Sequence, residues 1–212
     1  MKNSTKMIFD ELISKYPALN VCKSGIMDAF KLLKKSYEDG GKVLTCGNGG
    51  SAADSEHIVG ELMKNFKKCR KANQNLLNNL PECEESERLK AVLEGNLPAI
   101  SLTSHISLTT AYSNDKEPSA VFAQQLAGLG EKGDTLIAIS TSGNSLNCVY
   151  ACLVAKAKGL KTVAMTGQKT SRLSALADVT IAVPEMETYK IQELHLPVYH
   201  ALCAMLEEEF FD

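Results

Sequence analysis

The segment 42–66 constrains the fold most, because a short apolar strand pattern runs through a glycine-rich turn directly into a helical pattern. Its first part, KVLTC, is a compact apolar run, and the turn GNGGS follows without a spacer. Apolar residues then recur at helical spacing at Ile58, Val59, Leu62 and Phe66. A strand that passes through a glycine turn into a helix is typical of the first half of a βαβ unit, whose strands are parallel.

The same alternation continues along the chain. Four further apolar runs predict strands, at 99–103, 135–140, 161–166 and 179–183. The clearest helical patterns between them lie at 119–129 and 146–158. Near-continuous apolar strands that alternate with helices indicate a parallel sheet covered on both faces. We therefore predict an α/β fold, a three-layer α/β/α sandwich with a five-stranded parallel sheet, formed by residues 1–212 as a single domain.

Two segments lie outside this alternation. Residues 1–39 carry apolar residues at helical spacing, interrupted at Pro17, and predict N-terminal helices that pack on the domain. Residues 64–96 are polar, rich in Lys, Asn and Glu, and contain Pro81. We expect this second segment to be an exposed helical insertion.

Composition and charge exclude several classes of function. The net charge is -2 and the charges are interspersed, so we expect no nucleic acid partner. No stretch approaches the roughly 20 apolar residues of a membrane span, and the first residues lack the apolar core of a signal peptide. Seven cysteines without framework spacing indicate reduced thiols. We therefore expect a cytoplasmic protein that does not enter a membrane.

Two loops have the form of phosphate-binding loops. The turn at 46–51, CGNGGS, and the turn at 140–145, STSGNS, each follow a predicted strand and precede a predicted helix. Backbone N–H groups, hydroxyls and helix N-termini at the carboxyl edge of a parallel sheet favour small anions. Either loop alone could be a tight turn with a Ser or Asn cap. Because two such loops occupy equivalent places, we favour binding, and the absence of G-x-G-x-x-G and of a Walker lysine disfavours a nucleotide.

Four polar residues form a candidate metal or acid-base set. His57 and Glu61 are four residues apart on one predicted helix, and Gln192 and His200 are eight apart on the last one, so each pair shares a helix face. Imidazole, carboxylate and amide oxygens together could hold a divalent metal such as zinc. The alternative is a solvated His–Glu pair and a packed terminal histidine.

The other histidines and two of the cysteines have simpler interpretations. We interpret His105 and His195 as structural residues or as supports of a site, since neither has a partner in sequence. Cys148 and Cys152 share a helix face and are interpreted as small buried side chains.

Several motifs together resemble a known family. The runs GNGGSAADSEHIVGE, SHIS, SND, ISTSGNS and IQELHLPVYH occur in that order between about Gly40 and the C-terminus. They resemble the phosphoheptose isomerases (sedoheptulose 7-phosphate isomerases) of the SIS phosphosugar-binding superfamily. The fixed order of these five runs makes this resemblance specific.

The resemblance implies a sugar phosphate substrate, one zinc ion per site and a homotetramer with sites at subunit interfaces. In that family the residues that hold the sugar phosphate correspond here to Asn48, Gly49, Gly50, Ser51, Ser140, Thr141, Ser142 and Ser145. Asn114 and Asp115 would reach the sugar hydroxyls. The metal ligands would be His57, Glu61, Gln192 and His200, of which Glu61 and Gln192 would also contact substrate. Glu61 and His200 would carry out the acid-base chemistry.

Two departures from the family pattern keep other functions open. The stretch after Lys64 is longer than the corresponding family segment, and Asn65 stands where an arginine that binds substrate is expected. One alternative is therefore an isomerase of another sugar phosphate. Another is a non-catalytic SIS protein, either a phosphosugar-sensing regulator or a regulator of replication initiation. Retention of both Glu61 and His200 favours the enzyme.

Overall fold

The structure is a computed structural model that describes residues 1–212, and its centre is one five-stranded parallel sheet in the order β2-β1-β3-β4-β5. The strands are β1 (Val43–Gly47), β2 (Ala99–Ser101), β3 (Thr135–Ile139), β4 (Lys161–Thr166) and β5 (Val179–Ala182). Every residue of β1 and β3 is buried, because helices cover both faces of these strands. The predicted five-stranded parallel sheet is confirmed.

Strand order decides where a ligand can bind. β1 pairs with β2 on one side and with β3 on the other, with Val43 opposite Thr135 and Gly47 opposite Ile139. The chain thus passes from β1 to β2 on one side of the sheet and then to β3 on the other side of β1, so the direction of the connections reverses between β1 and β3. Such a switch point opens a crevice beyond the carboxyl ends of the two strands. The two predicted phosphate loops leave these two strands.

The main helices form the two outer layers. They are α1 (Asn3–Lys15), α2 (Lys23–Glu38), α3 (Gly50–Met63), α4 (Gln74–Asn78), α5 (Glu84–Val92), α6 (Ile106–Asp115), α7 (Val121–Leu129), α8 (Leu146–Ala157), α9 (Arg172–Leu176) and α10 (Thr188–Phe210). Short 3-10 turns at Pro17–Cys22 and Pro118–Ala120 precede α2 and α7. No helix combines the length and apolar character that a bilayer crossing requires.

Two apolar cores separate the layers and confirm the sandwich. One core joins α2, α3 and α10 to one face of the sheet, with Phe30, Ile58 and Leu202 among its buried side chains. The other joins α7, α8 and α9 to the opposite face and includes Phe122 and Cys152. Burying a side chain of this size contributes roughly 1.5–3 kcal/mol, so both helix layers are tied to the sheet by the hydrophobic effect.

The two segments outside the alternation pack differently. α1 lies along α10, and α2 packs on β5, so residues 1–39 belong to the first layer. Residues 64–96 contain the short helices α4 and α5, which expose most of their surface. An antiparallel bridge between Lys71 and Glu94 closes the base of this insertion.

Candidate functional site

The two glycine-rich loops lie side by side at the carboxyl edge of the sheet. The amide of Asn48, in the first loop, exchanges two hydrogen bonds with the amide of Asn147, in the first turn of α8, at 2.9 and 2.8 Å. This reciprocal pair joins the ends of β1 and β3. The structure therefore brings together the two loops that the sequence places about 90 residues apart.

The second loop is held in a tight turn by Gly143. Its φ is +65°, a left-handed conformation that glycine adopts readily, and a side chain there would collide with Ser171. The Gly143 N–H donates to the carbonyl of Ser140 at 2.9 Å. The hydroxyl of Ser140 donates to that of Ser145 at 3.0 Å, which leaves the Ser145 hydroxyl proton free for a ligand.

Two helix N-termini face the same crevice. α3 begins at Gly50 and α8 begins at Leu146, and neither N-cap side chain closes its helix with a hydrogen bond. The N–H groups of Ser51, Ala52 and Cys148 already donate within the chain, so an anion would meet the N–H groups of Gly50, Leu146 and Asn147 and the partial positive charge of the helix dipoles. Gly49, Gly50 and Ser142 are exposed around this opening, whereas Ser51 and Ser140 are buried beneath it.

Gln192 lies against the first loop. A Cβ built on Gly50 would lie 2.6 Å from Gln192 Nε2, so the Gln192 amide, at the end of a flexible side chain, packs directly on the Gly50 backbone. Gln192 makes no hydrogen bond to His57, Glu61 or His200. Eight residues of helix separate it from His200, which is about 12 Å along the axis.

The other three residues of the predicted set come together between α3 and α10. His57 Nε2 lies 3.2 Å from Glu61 Oε1 and 3.5 Å from His200 Nε2. The rings of the two histidines meet edge to face, with centroids 4.9 Å apart. Lys64 Nζ lies 3.3 Å from the second oxygen of Glu61. Helix packing thus adds His200 to the His57–Glu61 pair that the sequence spacing already provides.

Electrostatics favour a neutral imidazole at His200. Partial burial lowers its pKa, the neighbouring His57 lowers it further, and Glu61 acts in the opposite direction. A neutral imidazole can accept a proton at one nitrogen and donate from the other. This is the property that a group needs if it is to move a proton between two oxygens of a substrate.

Tyr199 and Asp54, which the sequence did not single out, lie behind His57. The Tyr199 hydroxyl is 3.0 Å from His57 Nδ1 and donates to Asp54 Oδ1 at 3.2 Å. The other carboxylate oxygen of Asp54 is buried without a hydrogen-bond partner. Burial raises the pKa of Asp54, although the Tyr199 hydroxyl and His57 oppose the shift.

The nitrogen and oxygen atoms around His57 are of the types that bind zinc, and two of the distances between them are close to those in a zinc site. In a tetrahedral zinc site with bonds of about 2.0–2.1 Å, neighbouring ligand atoms lie roughly 3.3–3.4 Å apart. The two distances from His57 Nε2, 3.2 and 3.5 Å, bracket this value. Gln192 stands apart, and the structure contains no group of three or more His, Cys, Asp or Glu side chains arranged to hold a metal ion. His57, Glu61 and His200 have donor atoms of the types that bind zinc, but they would have to shift before they could share one ion.

Asn114 and Asp115 are not brought to the loops within one chain. They end α6, where the Asn114 amide donates to the Asp115 carboxylate at 2.9 Å, and both are exposed. No residue of α6 is buried. Neither residue forms a hydrogen bond with the loops after β1 and β3 in the single chain.

Asn65 has a structural role. Its side-chain oxygen accepts from the Arg70 N–H, and its backbone and side-chain N–H groups donate to the two oxygens of Glu94, each at 2.7 Å. Asn65 thus ties the two ends of the insertion together. An arginine side chain has no hydrogen-bond acceptor, so at this position it could not accept from the Arg70 N–H as Asn65 does.

A buried ion pair supports the end of α3. Arg70 is 1% exposed, and its guanidinium donates to Glu207 and to the carbonyls of Leu62 and Glu61, each at 2.7 Å. Burial opposes ionisation of Glu207, but the N–H groups of Phe66 and Lys67 and the guanidinium outweigh it and lower its pKa. The sequence gives no sign of this pair, because Arg70 and Glu207 are 137 residues apart and no local spacing links them.

The remaining histidines lie away from the three-residue cluster. His105 Nδ1 is 2.7 Å from Gln125 Oε1. His195 is fully buried, its Nε2 lies 3.2 Å from the Thr166 carbonyl, and burial lowers its pKa to about 4, so that it is neutral at neutral pH. Both positions suit the structural roles that the sequence predicts for them.

Comparison with known proteins gives matches over most of the chain. The SIS domain family profile matches residues 18–93 and 91–167. The phosphoheptose isomerase of Thermodesulfovibrio yellowstonii is 38% identical over 187 residues, which are 88% of this chain and 81% of the relative.

Two solved structures share the fold. The phosphoheptose isomerase from Francisella tularensis superposes with a TM-score of 0.75 at 30% identity, over 98% of this chain and 100% of the other. The enzyme of the same name from Neisseria gonorrhoeae gives 0.74 at 31% identity, over 94% and 95%. Both comparisons extend over nearly the whole length of the chain.

Proposed function

Because the chain belongs to the phosphoheptose isomerase family of SIS-domain enzymes, we propose that it interconverts sedoheptulose 7-phosphate and a glycero-manno-heptose 7-phosphate through an enediol. One observation carries the proposal. Glu61 and His200 both lie beside His57, which is on α3, the helix that begins at the first phosphate loop.

The spacing along α3 suits a long sugar. His57 lies seven residues after Gly50, which is about 10 Å of helix. In a heptulose 7-phosphate the carbons that react, C1 and C2, are at the opposite end from the phosphate. Six carbon–carbon bonds of about 1.5 Å advance a zigzag chain by roughly 7–8 Å, and the C7–O–P bonds bring the distance from C1 to phosphorus to about 10 Å. With its phosphate in the loops after β1 and β3, the sugar would present C1 and C2 near the His57 cluster.

The residues of this cluster supply the two proton transfers that the reaction requires. The carboxylate of Glu61 would take the proton from C1 of the ketose and return it to C2, giving the aldose. The neutral imidazole of His200 would carry a proton between the two oxygens of the enediol. Lys64, beside Glu61, adds positive charge near the developing enediolate.

We propose that His57, Glu61 and His200 hold one divalent metal, zinc by preference, with Gln192 as the family's fourth ligand. When bound, the ion would polarise the carbonyl and stabilise negative charge on the enediolate. The residues of the chain would still bind the phosphate, orient C1 and C2, and move the protons.

A homotetramer is part of the proposal. α6 has no buried residue in the single chain, and Ile106 is 74% exposed on it. Packing of this helix against a second copy would cover that apolar surface and could bring Asn114 and Asp115 to the sugar of a neighbouring site. Light scattering of the purified protein measures the number of subunits directly.

A coupled assay with sedoheptulose 7-phosphate, before and after chelation, tests the function. The metal content of the same sample is determined, and pentose and hexose phosphates are included as competing substrates. We expect formation of an aldose heptose phosphate that falls on chelation and recovers with zinc. Turnover of a shorter sugar alone would contradict the substrate, and binding without any turnover would indicate a phosphosugar-sensing regulator.

Replacement of Ser142 by alanine tests the phosphate loop. The Ser142 hydroxyl accepts from the Asn144 N–H at 3.2 Å, so its proton is free to donate to phosphate. A hydrogen bond to a charged group is worth about 1.5–3 kcal/mol, so we expect KM to rise roughly 10- to 100-fold while kcat changes little. Ser14→Ala, on the exposed face of α1, is the control. An unchanged KM would show that Ser142 does not bind the phosphate.

A further inference from the structure

The hydrogen bonds behind His57 determine which of its nitrogens carries the proton. Asp54 Oδ1 has one donor, the Tyr199 hydroxyl at 3.2 Å, and Asp54 Oδ2 is buried with none. If Tyr199 turned its proton toward His57, the Asp54 carboxylate would lose its only hydrogen bond, which is unfavourable for a buried charged group. The Tyr199 proton therefore stays on the Asp54 side.

The phenol oxygen of Tyr199 is then an acceptor for His57. His57 Nδ1 lies 3.0 Å from this oxygen, so the nitrogen must carry the proton if the contact is to be a hydrogen bond. We infer that Asp54 and Tyr199 are positioning residues that hold His57 as the Nδ1–H tautomer, with the lone pair of Nε2 directed at Glu61 and His200.

The surroundings of Nε2 are compatible with this assignment. His200 Nε2, at 3.5 Å, can donate its proton toward the lone pair. In this tautomer Glu61 Oε1, 3.2 Å from His57 Nε2, faces a lone pair and no donor, an arrangement that a cation between the two atoms would stabilise, while Lys64 Nζ lies 3.3 Å from the other Glu61 oxygen. The Tyr199 ring, 2% exposed, also packs edge to face on both imidazoles, with centroids 5.5 Å from His57 and 4.8 Å from His200. Packing and hydrogen bonding therefore fix the ring orientation together.

The functional consequence concerns ligand binding at Nε2. A histidine that donates its other N–H to a fixed acceptor is a better metal ligand, and loss of such a partner typically costs 10- to 100-fold in affinity. This consequence rests on the proposed metal site. The tautomer assignment depends only on the contacts within the chain.

Nitrogen NMR of the metal-free protein tests the tautomer. Protein with ¹⁵N-labelled histidine is studied about two pH units above the ordinary histidine pKa of about 6.5, so that free imidazoles are neutral. The signals of His57 are identified by their loss in His57→Gln. We expect Nδ1–H in the wild type and a mixture of tautomers in Tyr199→Phe, which removes only the hydroxyl. An Nε2–H wild type, or a Tyr199→Phe variant unchanged from an Nδ1–H wild type, would overturn the inference.

Zinc affinity, measured by competition with a chelator, gives the second readout. We expect Tyr199→Phe to bind zinc about 10- to 100-fold more weakly than the wild type. Tyr37→Phe is the matched control, because it removes another buried hydroxyl, one that is bonded to the Pro98 carbonyl and not to His57. Equal weakening in both variants would indicate general loosening and contradict the positioning role.

The two readouts separate this inference from the proposed function. If the tautomer changes as expected but the wild type turns over no sugar phosphate, the positioning role stands and the isomerase proposal fails. If the wild type isomerises its substrate but Tyr199→Phe keeps both the tautomer and the zinc affinity, the proposed function stands and the positioning role fails.

Discussion

Replacing Glu61 by glutamine is expected to lower kcat by about 10²- to 10⁴-fold, the range that a general base contributes. The Glu61 side chain is nearly buried, one oxygen faces His57 and the other faces Lys64. Glutamine has almost the same volume but cannot accept a proton from carbon. The fold should therefore persist, and unfolding in urea should confirm that.

The test of Glu61 should separate its two proposed roles. Glu61 is both the proposed base and a proposed metal ligand, so the zinc content of the variant is measured and turnover is assayed with zinc in excess. In D₂O the wild type should exchange the C1 proton of the ketose with solvent, and Glu61→Gln should not.

Glu56→Gln is the matched control for this change. It lies on the exposed face of the same helix, where its carboxylate accepts from the Thr103 hydroxyl at 2.9 Å, and it should keep normal turnover. Near-normal kcat in zinc-loaded Glu61→Gln would show that another group is the base.

Replacing Arg70 by methionine is expected to lower the free energy of unfolding by about 3–5 kcal/mol, because it leaves the buried carboxylate of Glu207 without its ionic partner. The guanidinium is also the donor to two carbonyls at the C-terminal end of α3. Without it, the Glu61 carbonyl would lose this donor, and the Leu62 carbonyl would keep only the Leu97 N–H, at 2.9 Å. Urea unfolding at one fixed protein concentration measures the change.

An exposed ion pair provides the control for Arg70. Lys31 and Asp28 contact each other at 3.0 Å, with side chains 66% and 55% exposed. Lys31→Met should change stability by no more than about 1 kcal/mol, since water screens such pairs. A double-mutant cycle of Arg70→Met with Glu207→Gln should show coupling of about 0.5–3 kcal/mol. A loss below 1 kcal/mol in Arg70→Met would contradict the structural role of the pair.

Part of the candidate site could be predicted from the sequence, because the placement of those residues depends on spacing along the chain. The glycine loops follow apolar strands directly, and His57 and Glu61 share a helix face at i, i+4. The structure keeps the loops together and adds His200 to the pair, whereas Gln192 lies against Gly50, away from them. The roles of these residues in binding and catalysis stay predictions.

The sequence by itself determined the elements and their layers, because periods of 2 and 3.6 residues and glycine turns are local properties of the chain. The sheet, both helix layers and the position of the two loops follow from them. Only the tertiary structure decided the contacts between remote elements: Tyr199 with Asp54, and Arg70 with Glu207. A hydrophobic pattern specifies which face of a helix is buried but not which polar groups of another helix meet it. These pairings depend on the angle and depth at which α10 packs on α3, which close packing of the whole core sets.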